Sequence, residues 1–230
     1  MKIIVIGDIH GHDTWKRILA QEITYDLIVF LGDYCDALHI PYTEIISNYK
    51  EIRVFQQSNP DKVITLMGNH ELHYLINTKY SGWNPSTFLL LGTILQEDEV
   101  KGLLPIIHQV NNYIFSHAGI TKTWLNRIKT SFNLETDKQT IDYINQCPLQ
   151  YFDISYVNYD SHGDSAINGP LWVRPFSLLE DKLDDYIQVV GHTEFKNHKV
   201  NVIDNVYFCD ALPNEYLIIE DNNFRIKQLK

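Results

Sequence analysis

Five times along the 230-residue chain, a run of β-branched or aromatic residues ends in a small residue and then Asp, Asn or His. Gly7-Asp8-Ile9-His10-Gly11 follows Ile3 to Ile6, and Gly32-Asp33-Tyr34-Cys35-Asp36 follows Leu27 to Leu31. Gly68-Asn69-His70-Glu71 follows Val63 to Met67. Ser116-His117-Ala118-Gly119 follows Tyr113 to Phe115, and Gly191-His192-Thr193 follows Ile187 to Val190. Together these endings supply Asp8, His10, Asp33, Asn69, His117 and His192: two carboxylates, three imidazoles and an amide oxygen, with no thiolate. Such mixed nitrogen and oxygen donors suit manganese, iron or zinc rather than calcium or a structural zinc. Six ligands are too many for one catalytic ion with an open position. They fit two ions about 3.5–4 Å apart if one carboxylate is shared. Spacing along the chain leaves open which aspartate is shared.

The elements that must position these residues follow from the same runs. Short apolar stretches without alternation suit strands buried on both faces. Between them, Thr14 to Glu22 reads as a helix with Asp13 at its N-cap, and Thr43 to Gln57 carries Ile45, Ile46, Tyr49, Ile52 and Phe55 at helical spacing. Strands alternating with helices predict an α/β fold with βαβ units, whose ligand sites lie beyond the carboxyl ends of the strands. The last third differs. Val200 to Ile203, Val206 to Cys209, Tyr216 to Ile219 and Phe224 to Ile226 read as an antiparallel meander, with Asp221-Asn222-Asn223 as a hairpin turn. No repeat, linker or low-complexity tract divides the chain, so residues 1–230 are expected to form one domain.

Taken jointly and in order, the motifs between residues 8 and 193 resemble those of the calcineurin-like metallophosphoesterases. With Leu171-Trp172-Val173-Arg174-Pro175, they are similar to the phosphoprotein-phosphatase branch, which includes serine/threonine phosphatases and symmetrical dinucleoside tetraphosphatases. Other branches place a second ligand histidine two residues after the last Gly-His; this chain has Glu194 there. The resemblance implies a four-layer α/β/β/α metallophosphoesterase sandwich with mixed sheets and C-terminal antiparallel strands. It also implies a dinuclear centre, with manganese foremost and iron or zinc as alternatives. Asp8 and His10 would ligate the first ion and Asp33 would bridge. Asn69, His117 and His192 would ligate the second, Asn69 also touching substrate. His70 would be the general acid and Asp36 its partner. A hydroxide between two cations is a strong nucleophile near neutral pH, and a carboxylate-held histidine can protonate the leaving alkoxide.

The chain departs from that family at two points. The family's Asp-Arg-Gly is Asp36-Ala37-Leu38 here, so a phosphate-gripping arginine is absent, and its Asp-Thr-Gly is Asp210-Ala211-Leu212. Of five arginines only Arg174 lies in a family-like context, and a guanidinium fork suits phosphoryl oxygens, so Arg174 is the expected clamp. His12, His39 and His73, close to the motifs, read as rim histidines; His108, His162 and His198 match nothing. Residues 151–169, with Tyr151, Phe152, Tyr156, Tyr159, Asp160, His162 and Asp164, read either as a loop over the site or as a surface connection.

The expected activity is therefore hydrolysis of phosphomonoesters, of the protein serine/threonine phosphatase kind. Hydrolysis of a nucleotide such as a dinucleoside polyphosphate is the alternative. A scaffold that binds without turnover is disfavoured, because all six ligands and the acid are present. With 19 basic against 29 acidic residues the net charge is −10, which disfavours nucleic acid and anionic membranes as partners. No run reaches the roughly 20 apolar residues of a membrane span, and none resembles a signal-peptide core. The three cysteines are odd in number and widely spaced, so reduced thiols and a cytoplasmic location are expected.

Overall fold

A computed structural model describes residues 1–37, 39–154 and 163–229. The first half winds β1 (Lys2–Ile6), α1 (Thr14–Gln21), β2 (Leu27–Phe30), α2 (Tyr42–Ser58) and β3 (Val63–Thr65) into a parallel sheet. A short helix, α3 (Asn69–Leu75), and a longer one, α4 (Pro85–Val100), follow. The second half runs β4 (Ile107–Val110), β5 (Tyr113–Ser116), α5 (Lys122–Ser131), α6 (Asp137–Tyr143), α7 (Pro175–Glu180) and β6 (Ile187–Val190). It ends in β7 (Asn201–Ile203), β8 (Val206–Phe208), β9 (Glu215–Glu220) and β10 (Asn223–Gln228). Among the described residues one sheet has the order β10-β9-β1-β2-β3 and the other β4-β5-β6-β8-β7.

The two sheets face each other. Ile3 and Val5 of β1, Leu27 and Val29 of β2, and Leu217 and Ile219 of β9 form one buried cluster with Tyr113, Phe115 and Val189 of the other sheet. The alternate residues Ile4, Ile6, Ile28 and Phe30 turn outward, against Trp15 and Ile18 of α1 and Ile46, Tyr49 and Ile52 of α2. On the second sheet, Val190, Val206 and Phe208 pack with Leu178 of α7. Helices thus cover both outer faces, giving the four-layer α/β/β/α arrangement. Each strand residue has an apolar neighbour layer whichever way it points, which is why the runs do not alternate. Burying one such side chain contributes about 1.5–3 kcal/mol.

Two expectations need correction. The C-terminal strands form no continuous meander: β7 and β8 make a hairpin in the second sheet, while β9 and β10 make another at the edge of the first. Segment 209–214 carries the chain from one layer to the other. Both hairpins turn on paired residues with positive φ, Asp204 with Asn205 and Asp221 with Asn222, as type I′ turns require. Asp13 does stand at the N-cap of α1, but its side chain makes no capping bond. A side-chain cap is instead made at α4, where Asn84 Oδ1 accepts from the Ser86 and Thr87 N–H groups. Among the described residues no helix is long and apolar enough to cross a membrane.

Candidate active site

The carboxyl ends of β1, β2, β3, β5 and β6 meet where the two sheets adjoin; the loops leaving them carry Asp8, His10, Asp33, His117 and His192, and the start of α3 carries Asn69 and His70. Four side chains converge. Asp33 Oδ2 is 3.3 Å from His117 Nε2. That nitrogen is 2.8 Å from Asn69 Oδ1 and 3.1 Å from His192 Nδ1. His192 Nδ1 is in turn 2.9 Å from Asn69 Oδ1. On the other side of Asp33 Oδ2 lie His10 Nε2 at 3.7 Å and His70 Nε2 at 3.9 Å.

The far nitrogens of these rings fix their chemistry. His117 Nδ1 donates to the Leu31 carbonyl at 2.9 Å, and His10 Nδ1 donates to the Asp36 carbonyl at 2.8 Å. His192 Nε2 donates to the Trp172 carbonyl at 3.2 Å. A carbonyl only accepts, so the hydrogen sits on the outward nitrogen and the inward one presents a lone pair. Lone pairs of Asp33, His117, His192 and Asn69 therefore crowd together with no protein hydrogen between them. A cation resolves that crowding, and this outer hydrogen-bonding is the orientation that metal-ligating histidines use. Without a cation a proton must serve. His117 is fully buried, which opposes charge, yet Asp33 and Asp8 outweigh burial and push its pKa up to about 9. His192, buried beside His117 and Arg174, is driven well below the usual imidazole value. Asp33 is held well below the carboxylate range: burial opposes this, but the His117 and His70 charges prevail.

Asp8 stands beside this group rather than within it. Both its oxygens accept from the His192 backbone N–H at 3.0 Å. Burial, with Asp210 next in weight, pushes its pKa well up. Asp210, of the altered Asp-Ala-Leu run, is itself pushed up to about 6 by burial. Asp33 thus lies between two donor groups, Asn69, His117 and His192 on one side and His10 with His70 on the other, with Asp8 adjacent.

What holds Asp33 in place was not legible from ligand spacing. The fully buried Glu71 carboxylate accepts four backbone N–H groups: Asp33 at 2.9 Å, Tyr34 at 2.8 Å, Cys35 at 3.0 Å and Gly68 at 3.0 Å. It ties the loop after β2 to the loop after β3. The other Asp33 oxygen accepts from the His70 N–H at 3.0 Å. His10, Asp33, Asp36 and His192 all have left-handed backbones, with φ of 41°, 51°, 59° and 65°. Asn, Asp and His tolerate that region best among residues with a side chain. Gly191 and Gly68 are glycines for a further reason. A Cβ at Gly191 would lie 2.1 Å from Asp8 Oδ1, and one at Gly68 would lie 2.1 Å from Asp33 Oδ1.

His70 and Asp36, expected to act together, are paired. His70 Nδ1 donates to Asp36 Oδ2 at 2.8 Å, leaving Nε2 toward Asp33. Burial works against charging His70, but Asp33 and the Asp36 hydrogen bond push its pKa up to about 9. Asp36 also receives a short hydrogen bond from the Tyr74 hydroxyl. His73, expected at the rim, is instead fully buried, its Nε2 2.8 Å from the same Asp36 oxygen. The helical i, i+3 spacing of His70 and His73 was the signal that could have revealed this. Arg174 is half-buried at the start of α7 and donates from Nη1 to Thr193 Oγ1 at 3.1 Å, beside His192.

A cleft of about 800 Å³ opens beside the dyad, lined by His10, Asp36, His70, His12, His39, Ala37, Ile40, Pro41, Tyr42, Ile45, Ser81, Gly82, Asn84 and Thr87. His12 and His39 are therefore rim histidines, as expected. Segment 81–87 was not expected there. Gly82, at φ 88°, crosses so close to His70 that a Cβ would lie 2.9 Å from its Cε1. Residues Tyr156, Tyr159, Asp160 and His162 of the anticipated loop lie outside the described residues, while Tyr151 and Phe152 pack into the core around α5 and α6. His108 lies on β4, away from the site, and His198 pairs with Glu194 at 2.5 Å on the exposed surface.

Residues 1–214 match the family model described as calcineurin-like phosphoesterase, and the chain belongs to that family. It is a metallophosphoesterase, and hydrolysis of phosphate esters is its class of reaction. It is 27% identical over 281 residues to Shewanella-like protein phosphatase 1 of Plasmodium berghei (strain Anka), covering 99% of this chain and 74% of the relative. Among solved structures it resembles a cold-active protein-tyrosine phosphatase of a psychrophilic Shewanella, with a TM-score of 0.64 and 20% identity, over 100% of this chain and 80% of the other. A protein serine/threonine phosphatase from Saccharomyces cerevisiae aligns with a TM-score of 0.60 and 15% identity, again over 100% and 80%. At these identities the two structures speak for the fold alone.

Proposed function

We propose that this chain is a two-metal phosphomonoesterase acting on phosphorylated protein side chains, with manganese as the native ion. The observation that carries the reading is the convergence of Asp33, Asn69, His117 and His192 lone pairs beside the His70–Asp36 dyad. Two divalent ions held there, when bound, make a water nucleophilic near neutral pH and neutralise charge on the phosphoryl group.

The chain's own residues do the rest. Asn69 and Arg174 orient the phosphoryl oxygens, the guanidinium standing in for the arginine that Ala37 replaces. Asp36 keeps a hydrogen on His70 Nδ1, so the transferable proton sits on Nε2, which faces the site. That proton goes to the leaving oxygen as the ester bond breaks. The three cysteines are buried and unpaired, which suits a reducing compartment, the cytoplasm.

The cleft argues among substrates. No Lys or Arg stands among its described lining residues, so beyond its histidines the cleft offers the extra charges of a dinucleoside polyphosphate no cation. Ile40, Pro41, Tyr42 and Ile45 give it an apolar wall that favours a second reading, an aromatic leaving group such as phosphotyrosine, alongside phosphoserine and phosphothreonine. The test strips the purified protein with chelator, restores Mn²⁺ and follows aryl-phosphate hydrolysis, then compares phosphopeptides with dinucleoside tetraphosphate. Activity that vanishes and returns, with phosphopeptides preferred, is expected. A clear preference for the dinucleotide, or inactivity with two ions bound, would overturn the proposal.

A further inference from the structure

We propose a third cation site, separate from the dinuclear centre, formed by Asp36 Oδ2, His70 Nδ1 and His73 Nε2. Its ligand is zinc, and its effect is to shut the enzyme off by capturing the general acid. This rests on the phosphoesterase reading only for its consequence; the binding itself does not depend on it.

Five observations point there. His70 Nδ1 and His73 Nε2 each lie 2.8 Å from the same Asp36 oxygen, so three donors of two residue types meet around one point. Ligand atoms of these residues all fall within 4.8 Å of one another. His73 has no solvent exposure, and neither of its ring nitrogens has a hydrogen-bond partner. A buried imidazole with both nitrogens unsatisfied calls for an explanation, and its approach to Asp36 is close in distance but off the line of a hydrogen bond. The other Asp36 oxygen is already occupied by the Tyr74 hydroxyl, which itself accepts from the Asn84 N–H at 3.1 Å. The carboxylate is thus oriented from behind, as ligating carboxylates are. Finally, Asp36 and His70 line the open cleft, which provides an entry path and would let water complete the coordination.

Two imidazoles, one carboxylate and an open position form a donor set that zinc accepts in tetrahedral geometry. Manganese prefers more oxygen and higher coordination, so it competes poorly with zinc for this site, and excess Mn²⁺ is what keeps the dinuclear centre filled. On binding, the hydrogen that His70 Nδ1 donates to Asp36 would be released to solvent, and the ion would take the lone pair so exposed and neutralise Asp36. The acid would then lose its hydrogen-bond partner, and its ring would be fixed to the ion. Zinc beyond that held by the dinuclear centre would therefore inhibit.

The experiment counts metal rather than relying on turnover. Protein saturated with Mn²⁺ is dialysed against rising Zn²⁺ in the presence of excess Mn²⁺, and bound zinc and manganese are measured per chain. The wild type should take up one zinc with both manganese ions retained. His73→Gln should need at least about tenfold more zinc for half-occupancy, as loss of a ligand or of its support requires. Rates on an aryl phosphate, each normalised to the same protein's zinc-free rate, should fall as that zinc binds, with the same tenfold displacement in the variant. Asp36→Asn, which keeps both imidazoles, serves as the second binding test should His73→Gln fail to fold, and it too should lose the zinc. Zinc that only displaces manganese, or a third equivalent unchanged in a folded variant, overturns the proposal. Uptake without any phosphatase activity would leave the site standing and sink the phosphoesterase reading instead.

Discussion

At the scale of single residues, the chemistry rests on groups whose protonation is set by neighbours. His70 is expected to matter most for poor leaving groups. His70→Asn should lower hydrolysis of an alkyl phosphate by about 10²–10⁴-fold, and that of an activated aryl phosphate by much less, because a stable phenolate needs little help from an acid. Equal losses on both substrates, in steady-state rates, would remove His70 from that role. Glu71 is the second such residue. Replacing it with Gln keeps the shape but turns an amide nitrogen toward backbone donors, and each donor left without an acceptor costs about 1–3 kcal/mol. Glu71→Gln should lower the midpoint of chemical unfolding and also weaken manganese binding, since the loop it holds carries Asp33. The candidate ligands, and their convergence, were legible in the sequence because metal donors belong to few residue types and sat after recognisable strands. Glu71 and His73 were not: a buried carboxylate bonded to backbone and an imidazole on the hidden face of a short helix look, in sequence, like ordinary polar residues.

At the scale of elements, the site depends on tight passages between strand ends. Each glycine there leaves room for a carboxylate of another loop. Gly191→Ala would drive a methyl group into Asp8 and Gly68→Ala into Asp33, with nothing flexible to yield but the ligands themselves. Both variants should bind fewer than two manganese ions per chain by metal analysis; two ions in either would show the loops to be more yielding than their geometry indicates. The βαβ half of the fold was readable, since β1, β2 and β3 are contiguous apolar runs with amphipathic helices between them. The C-terminal half was not, because β8 and β9 look alike as short strands, and only packing decides which sheet each joins.

At the scale of the whole molecule, the two sheets bring five strand ends together, so buried charge is concentrated where the layers adjoin. Stability of the metal-free protein should record it. His70 and His117 both have pKa values near 9, above the ordinary 6.5 of an unfolded histidine. Folding therefore takes up protons, and the stability these groups contribute is fully present below about pH 6.5 and lost as pH rises through 9. The melting temperature of chelator-treated protein should fall between pH 6.5 and 9, and saturating Mn²⁺ should flatten that slope by replacing the proton on His117. A melting temperature that rises over this interval would contradict the assignment. The four layers followed from the resemblance of the motifs; the proton uptake did not, since it needs the distances between loops that lie far apart in sequence.

The left-handed backbone at His10, Asp33, Asp36 and His192 carries a consequence for how this chain tolerates change. A library randomised at those four codons and screened only for folding, with no demand for catalysis, should return Gly, Asn and Asp far more often than Val, Ile or Thr. Three of the four are proposed metal-ligand positions and the fourth is the proposed partner of the acid, so the folding constraint alone already narrows the alphabet toward donors. Glycine becomes the clean knockout at each, removing the donor while relieving the backbone, whereas alanine confounds a missing ligand with torsional strain.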